Sequence, residues 1–307
     1  MFTSDTLGVM HIAQRYLPDC PQLAAQVRQL AAQAAEVDLV DPLSEQFLRG
    51  LDDSRLNHRH LLALEDAMVL GVLAYDGTSS ELLVAPGSRR QGIATKLLAQ
   101  FAGTDVWAHG DLPAAQALAK DLGMVPTRRL LVMEIKDQAL VEAAEFQEPV
   151  GVRSMNLRES IDRWGTELVE QAWLEANNDA FAWHPEQGGW DRDRLRLAMG
   201  ADWFEESDVL FFWDESGPAL AGFHWTKWHT EEEPHFGEVY VVGLAADYRG
   251  RGWGGPLLRL GLSHLLSRGS SRIILYVEAD NGPAVRVYEK LGFSISQEHV
   301  IYSSTGN

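Results

Sequence analysis

The sequence predicts an α/β protein made of two copies of one domain, and three observations lead there. The chain has 307 residues, a length that suggests two domains. Two glycine-bearing stretches align, "PGSRRQGIATKLL" under "ADYRGRGWGGPLL". Farther along, "VWAHGDLPAAQALAKDLGM" (106–124) aligns without gaps on "LYVEADNGPAVRVYEKLGF" (275–293). Self-similarity at this scale marks a duplicated unit.

Each half then justifies its elements in the same order. A strand-like run comes first, "ELLVA" in one half and "EVYVVGLA" in the other. The glycine loop follows and opens a helix-like run. In this alignment Arg89 falls on Arg249, Gly92 on Gly252, Ala94 on Gly254 and Leu97-Leu98 on Leu257-Leu258. A second strand and helix come next, with Asp111 on Asp280, Ala115 on Ala284 and Leu122-Gly123 on Leu291-Gly292. A last strand closes each half, "RLLVMEI" in the first and "SISQEHVIY" in the second. The segment 136–150 reads as a linker. The expected domains are 1–140 and 151–307, joined by 141–150.

Bulk properties exclude several classes. Net charge is −18, split into −8 before residue 151 and −10 after it. Both halves are acidic, which argues against a nucleic-acid binder. No run of about 18 apolar residues suggests a membrane span. The N-terminus lacks the basic start and apolar core of a secretory signal. A single cysteine, Cys20, rules out an internal disulfide framework and fits a reducing cytoplasm. The expectation is a cytoplasmic monomer acting on a small molecule.

A loop so poor in side-chain bulk brings backbone N–H groups close to an anion at the positive end of a helix. "GRGWGG" also fits G-x-G-x-x-G, with Gly250, Gly252 and Gly255, and Glu278 lies at a distance a dinucleotide fingerprint wants. Against a nicotinamide cofactor, the first copy, "SRRQGIAT", lacks the three-glycine spacing. The motif sits late in its half, and no further βαβ unit follows.

What the duplication preserves is Arg-x-x-Gly-x-Gly/Ala between a strand and a helix. With Asn281, Tyr288 and Leu291-Gly292-Phe293 downstream, the pattern resembles the GNAT acyl-CoA-dependent N-acetyltransferases. The resemblance implies two tandem GNAT domains, each a mixed, mainly antiparallel sheet flanked by helices. It implies acetyl-CoA as cosubstrate and no metal. Amides from Arg249, Gly250, Arg251, Gly252, Trp253, Gly254 and Gly255 are expected to cradle the pyrophosphate, with Gly254 able to take positive φ. Val242, Gly243 and Leu244 would offer strand amides to the acetyl carbonyl and pantetheine. Asn281 and Arg286 complete that set. In the first half the corresponding residues are Leu82, Val84, Arg89, Arg90, Gly92, Ala94 and Thr95.

Amide formation from a thioester needs a neutral amine and a protonated leaving thiol. Glu238, opening "EVYVVGL", is the candidate base and Tyr288 the candidate acid. The alignment places Thr78 at Glu238, Ala119 at Tyr288, Leu112 at Asn281 and Met124 at Phe293, so the first half is expected to be catalytically silent.

The motifs "AFAWHPEQGGW" (180–190), "GFHWTKWH" (222–229) and "LYVEADN" narrow the resemblance to the mycothiol synthase family, which acetylates the cysteinyl amine of a cysteinyl-glucosaminyl-inositol. It implies substrate contacts at Lys227, Glu238 and Tyr276, and further at Glu186 and Glu45, the last reaching over from the silent half. Carboxylates accept from an ammonium and from hydroxyls, and lysine donates to sugar or carbonyl oxygens. His229, Glu231 and His235 in "WHTEEEPH" suggest a metal site, but no further ligand follows at helical spacing and the segment reads as a solvated loop. Other readings stay open: acetylation of a protein N-terminus or an aminoglycoside-type amine, or a non-catalytic acetyl-CoA sensor.

Overall fold

The computed structural model describes residues 9–101, 103, 105–183, 187–230 and 234–304. It divides into two compact units, Met1–Leu130 with Gln297–Asn307, and Leu131–Ser296.

The first unit starts with strand β1 (His11–Arg15), helix α1 (Pro21–Asp38) and the short helix α2 (Glu45–Arg49). Strands β2 (Arg59–Glu65), β3 (Met68–Tyr75) and β4 (Ser80–Val84) follow, then α3 (Ile93–Ala99), β5 (Asp105–Ala108), α4 (Pro113–Asp121) and β6 (Met124–Lys136). Its strands lie in the order β1-β2-β3-β4-β5. All neighbours are antiparallel except β4 and β5. Helix α1 buries Ala24, Val27, Leu30, Ala31 and Ala34, a three-to-four-residue repeat that lines one helix face. They pack on one face of the sheet with Leu62, Val72 and Ala74, while Ile93 and Leu97 of α3 cover Ala63 and Leu73 on the other.

The second unit contains helix α5 (Asp137–Ala143), β7 (Val152–Asn156), α6 (Leu157–Trp164), α7 (Thr166–Ala180) and α8 (Arg192–Met199). Then come β8 (Val209–Asp214), β9 (Leu220–His229), β10 (Phe236–Leu244), α9 (Gly254–Ser267), β11 (Arg272–Glu278), α10 (Gly282–Leu291) and β12 (Ser294–Ser304). The strand order here is β11-β10-β9-β8-β7, with only β10 and β11 parallel. Mixed, mainly antiparallel sheets with helices on their faces are the fold class the sequence predicts.

Strands β8 and β9 are buried almost throughout because both of their faces are covered. On one side Trp173 of α7 meets Phe211, Phe223 and Trp225 edge-on or tilted at 5.1–6.2 Å. On the other, Leu257 of α9 packs with Phe212 and Ala221. The approach of α9 depends on Gly261, where a Cβ would lie 2.0 Å from the His224 ring. His224 is fully buried, its Nδ1 sits 3.1 Å from Leu257 O, and desolvation lowers its pKa to about 4.

The closing strands differ from the sequence expectation. In "RLLVMEI", Leu131, Met133 and Ile135 belong to the second unit's core, with Leu258, Leu262 and Phe293. In "SISQEHVIY", the part from Gln297 onward belongs to the first unit, where Val300–Ser303 pairs antiparallel with Asp105–Ala108. Alternation of apolar residues identifies a strand but not its neighbour. Within 136–150, expected as a linker, Asp137–Ala143 is helical and buries Leu140 and Ala143.

Candidate active site

The parallel pair β10 and β11 makes the opening. The strands are in register only from Gly237 to Val239, opposite Ile273 to Leu275. Beyond Val239 β10 stays bonded to β9 instead, through a bulge between Val239 and Val241. Strands that separate midway expose backbone groups between them, which suits an extended chain such as a pantetheine arm. Val242, Gly243 and Leu244 lie on this released part of β10. Gly243 also has a packing role, since a Cβ there would lie 2.8 Å from that of Ala180.

The loop after β10 is shaped for an anion. Gly250 and Gly252 have φ of 78° and 80°, and a Cβ on either would meet nothing within 4 Å, so the concavity is open. Gly254, at which the sequence allows positive φ, does not take it. It is already the first residue of α9, where the helical backbone is right-handed. The first turn of a fourteen-residue helix presents unpaired N–H groups to the loop. These residues fit a pyrophosphate. Arg249 holds the loop itself: Nε donates to Leu244 O at 3.2 Å and Nη2 to Asp179 O at 2.8 Å. Arg251 lies over the stacked rings of Tyr248 and Trp253, 4.7 and 5.5 Å from their centroids.

The first unit repeats this geometry. Arg89 Nε donates to Val84 O at 3.3 Å, the counterpart of the Arg249 bond, and its guanidinium forks onto Asp38 at 2.8 and 2.6 Å. Gly92 has φ of 75°, but at the Gly250 position stands Arg90 with φ of 65°, a conformation that strains a residue with a side chain. Leu82 lies on β4, which parts from β5 after Ser80 and Glu81, and Val84 ends it. Ala94 and Thr95 lie in the first turn of α3. Thr78, aligned with Glu238, is in the turn before β4, where its N–H donates to Asp76 Oδ1 at 2.8 Å.

The chemical groups gather on one face of β9, β10 and β11. Alternation along β9 puts Trp225, Lys227 and His229 together. Lys227 faces Glu238 directly across the antiparallel pair, and His229 faces Phe236. Glu238 is 6% exposed, and its Oε2 lies 2.7 Å from His229 Nε2. Lys227 is buried too, with its ammonium 4.7 Å from the Trp203 ring centroid. Trp203 in turn meets Tyr240 edge-on at 4.9 Å. Tyr240 and Tyr276 are 38% and 47% exposed, two aromatic surfaces beside the buried charges. Tyr276 follows Ile274, the partner of Glu238, by two residues on β11.

The sequence suggests a solvated loop at His229. It is instead the last residue of β9, its ring stacked on Phe236 at 4.3 Å and 9°. The alternation in "HWTKWH" carried that signal. Trp203 and Tyr240 were missed altogether; only the fold brings Trp203 to the strand face. Among the described residues no group of three or more His, Cys, Asp or Glu side chains could hold a metal. Glu186 and Glu231 lie outside the described residues.

Tyr288 on α10 is partly buried, meets Phe293 edge-on at 5.9 Å, and burial raises its pKa to about 12. Asn281 caps the same helix, its Oδ1 accepting from Ala284 N at 3.3 Å. Arg286 is exposed on α10, within reach of Gly282. Glu45 begins α2 of the first unit and is exposed.

The Acetyltransferase (GNAT) family matches residues 169–293. A mycothiol acetyltransferase of Corynebacterium aurimucosum is 54% identical over 303 residues, covering 96% of this chain and 100% of that protein. One from Corynebacterium glutamicum is 47% identical over 281 residues, covering 91% and 94%. Two solved structures share the fold at 18% identity. A GCN5-related N-acetyltransferase from Sphaerobacter thermophilus has a TM-score of 0.68 with 95% of each chain covered. A tandem GNAT protein from the clavulanic acid biosynthesis pathway has a TM-score of 0.69, covering 96% of this chain and 98% of that one. Identity at this level over nearly the whole length, with the loop and the separating strands in place, makes the chain a member of the mycothiol acetyltransferases, an acetyl-CoA-dependent family of the GNAT fold.

Proposed function

We propose that this enzyme transfers the acetyl group of acetyl-CoA to the cysteinyl amine of a cysteinyl-glucosaminyl-inositol, giving mycothiol and CoA. The observation that carries the reading is the pairing of Glu238 with Lys227 where β10 parts from β11, on the strand that leads into the anion loop.

Acetyl-CoA supplies an activated acyl group. The chain's residues do the rest. Amides of Gly250–Gly255 and the α9 terminus hold the pyrophosphate. Amides of Val242 and Leu244 face the thioester arm, and one directed at its carbonyl oxygen stabilises the charge that develops there. Glu238 takes a proton from the substrate ammonium. Lys227 donates to a carbonyl or hydroxyl oxygen, and Tyr276 lines the site. Glu45 and Glu186 are the further carboxylates proposed for substrate hydroxyls. Tyr288 donates toward the leaving sulfur. The first unit, with no carboxylate at the Glu238 position, does no chemistry.

The test is CoA release by the purified full chain with three amines: the cysteinyl-glucosaminyl-inositol, free glucosamine and a peptide amine. The first should be preferred by at least a hundredfold in kcat/KM. Preference for the peptide would leave the transfer chemistry in place and overturn the substrate.

A further inference from the structure

We infer that His229 is the positioning residue for Glu238, holding one carboxylate oxygen so that the other faces the amine. The inference rests on reading Glu238 as the base. A base must be in hydrogen-bond reach of its proton and correctly turned, and a glutamate with three rotatable bonds is not turned by its backbone alone. His229 supplies the constraint. Its Nε2 lies 2.7 Å from Glu238 Oε2. The carboxylate is acceptor-only when ionised, so the imidazole donates, and Oε1 is left for the substrate.

The histidine is itself held. It ends β9 in direct register with Phe236, and the two rings stack at 4.3 Å. Arg272 of β11 lies over Phe236 at 4.0 Å and is ion-paired with Glu134 at 3.4 Å. The stack therefore fixes the imidazole plane, and the plane fixes the direction of the Nε2–H bond. The charged groups around His229 are Glu238 of β10, Lys227 two residues back on β9, and Arg272 of β11 over the stacked Phe236 ring. The His229 side chain is 21% exposed against 8% for that of Glu238, so the pair has its solvent-facing end at the histidine and its buried end at the base. The arrangement matches the metal-free logic of a base oriented by a second hydrogen-bonding group.

Two variants separate positioning from packing. His229→Phe keeps an aromatic ring on Phe236 and loses the donor. His229→Gln keeps an N–H donor at similar reach and loses the stack. Positioning predicts that His229→Phe lowers kcat about 10- to 100-fold with both KM values within about threefold, and that His229→Gln recovers most of it. Packing alone predicts the reverse order, and that order would overturn the inference. Glu238→Gln and the double variant Glu238→Gln/His229→Phe complete a cycle. If His229 acts through Glu238, the double variant is no slower than Glu238→Gln alone. Additive losses would sink the inference while leaving Glu238 as base. Full activity of Glu238→Gln would instead remove the base and the inference with it. A readout independent of turnover is the Nε2 proton of His229 in the ligand-free full chain by NMR. A slowly exchanging downfield signal lost in Glu238→Ala is expected, and a signal indifferent to that change would contradict the bond.

Discussion

Tyr288, with its pKa raised to about 12 by burial, stays protonated through the physiological range. A thiol of the free-cysteine type ionises near 8.5, so full proton transfer from such a phenol to a thiolate is uphill. As the acid proposed for the leaving sulfur, such a phenol would stabilise the departing thiolate chiefly by donating a hydrogen bond to it. Tyr288→Phe should bind acetyl-CoA normally and lose roughly 10- to 1000-fold in kcat. Unchanged turnover would take the role away. Lys227, buried over Trp203 and opposite Glu238, should govern amine binding. Lys227→Met should raise the KM of the amine about tenfold or more, as expected for losing a charge-assisted bond, with the KM of acetyl-CoA unmoved. Both residues were singled out from the sequence because each sits in a short motif with fixed neighbours. Trp203 was not, because its partner Tyr240 lies far along the chain and on another element.

At the scale of elements, one stretch of glycines does two different jobs. Gly252, with φ of 80°, shapes the loop, and Gly261 lets α9 approach β9. Gly252→Ala forces a Cβ into a left-handed conformation at about 1–2 kcal/mol, and should chiefly raise the KM for acetyl-CoA. Gly261→Ala meets the buried His224 ring at 2.0 Å. It should lower Tm with a loss of about 1–3 kcal/mol or more, as overpacked cores do. A wild-type Tm for Gly261→Ala would mean that α9 shifts freely. The sequence shows that glycines are needed here, and the residue count places the loop. It does not show which glycine has positive φ, because that depends on where the helix begins. The expectation at Gly254 failed by that margin, the true positions being Gly250 and Gly252.

At the scale of the whole molecule, three buried histidines set an acid limit. His60, His224 and His299 all have pKa values lowered to about 4, by desolvation first and in each also by a neighbouring histidine. In the unfolded chain each takes a proton near 6.5; in the fold none does until about 4. Their neutral burial therefore stabilises fully above pH 6.5 and less as pH falls toward 4, by about 1.4 kcal/mol per pH unit for each histidine. Tm should drop by several degrees or more between pH 7 and pH 5, and a flat profile would contradict the burial. The duplication was legible because paired motifs survive in the same order, each aligned without gaps. The destination of the closing strands was not, since apolar alternation is the same whichever sheet receives it. That destination affects how the protein is made. The ribosome delivers β5 early, yet the residues that pair with it, Val300–Ser303, are made only after β7 to β11. At about 5–20 residues per second the stretch between them takes on the order of ten seconds or more to emerge. During that time the β5 edge is an open template for any passing strand. The N-terminal unit is thus begun first and completed only once β12 has been made, and until then its open edge exposes the nascent chain to misassembly.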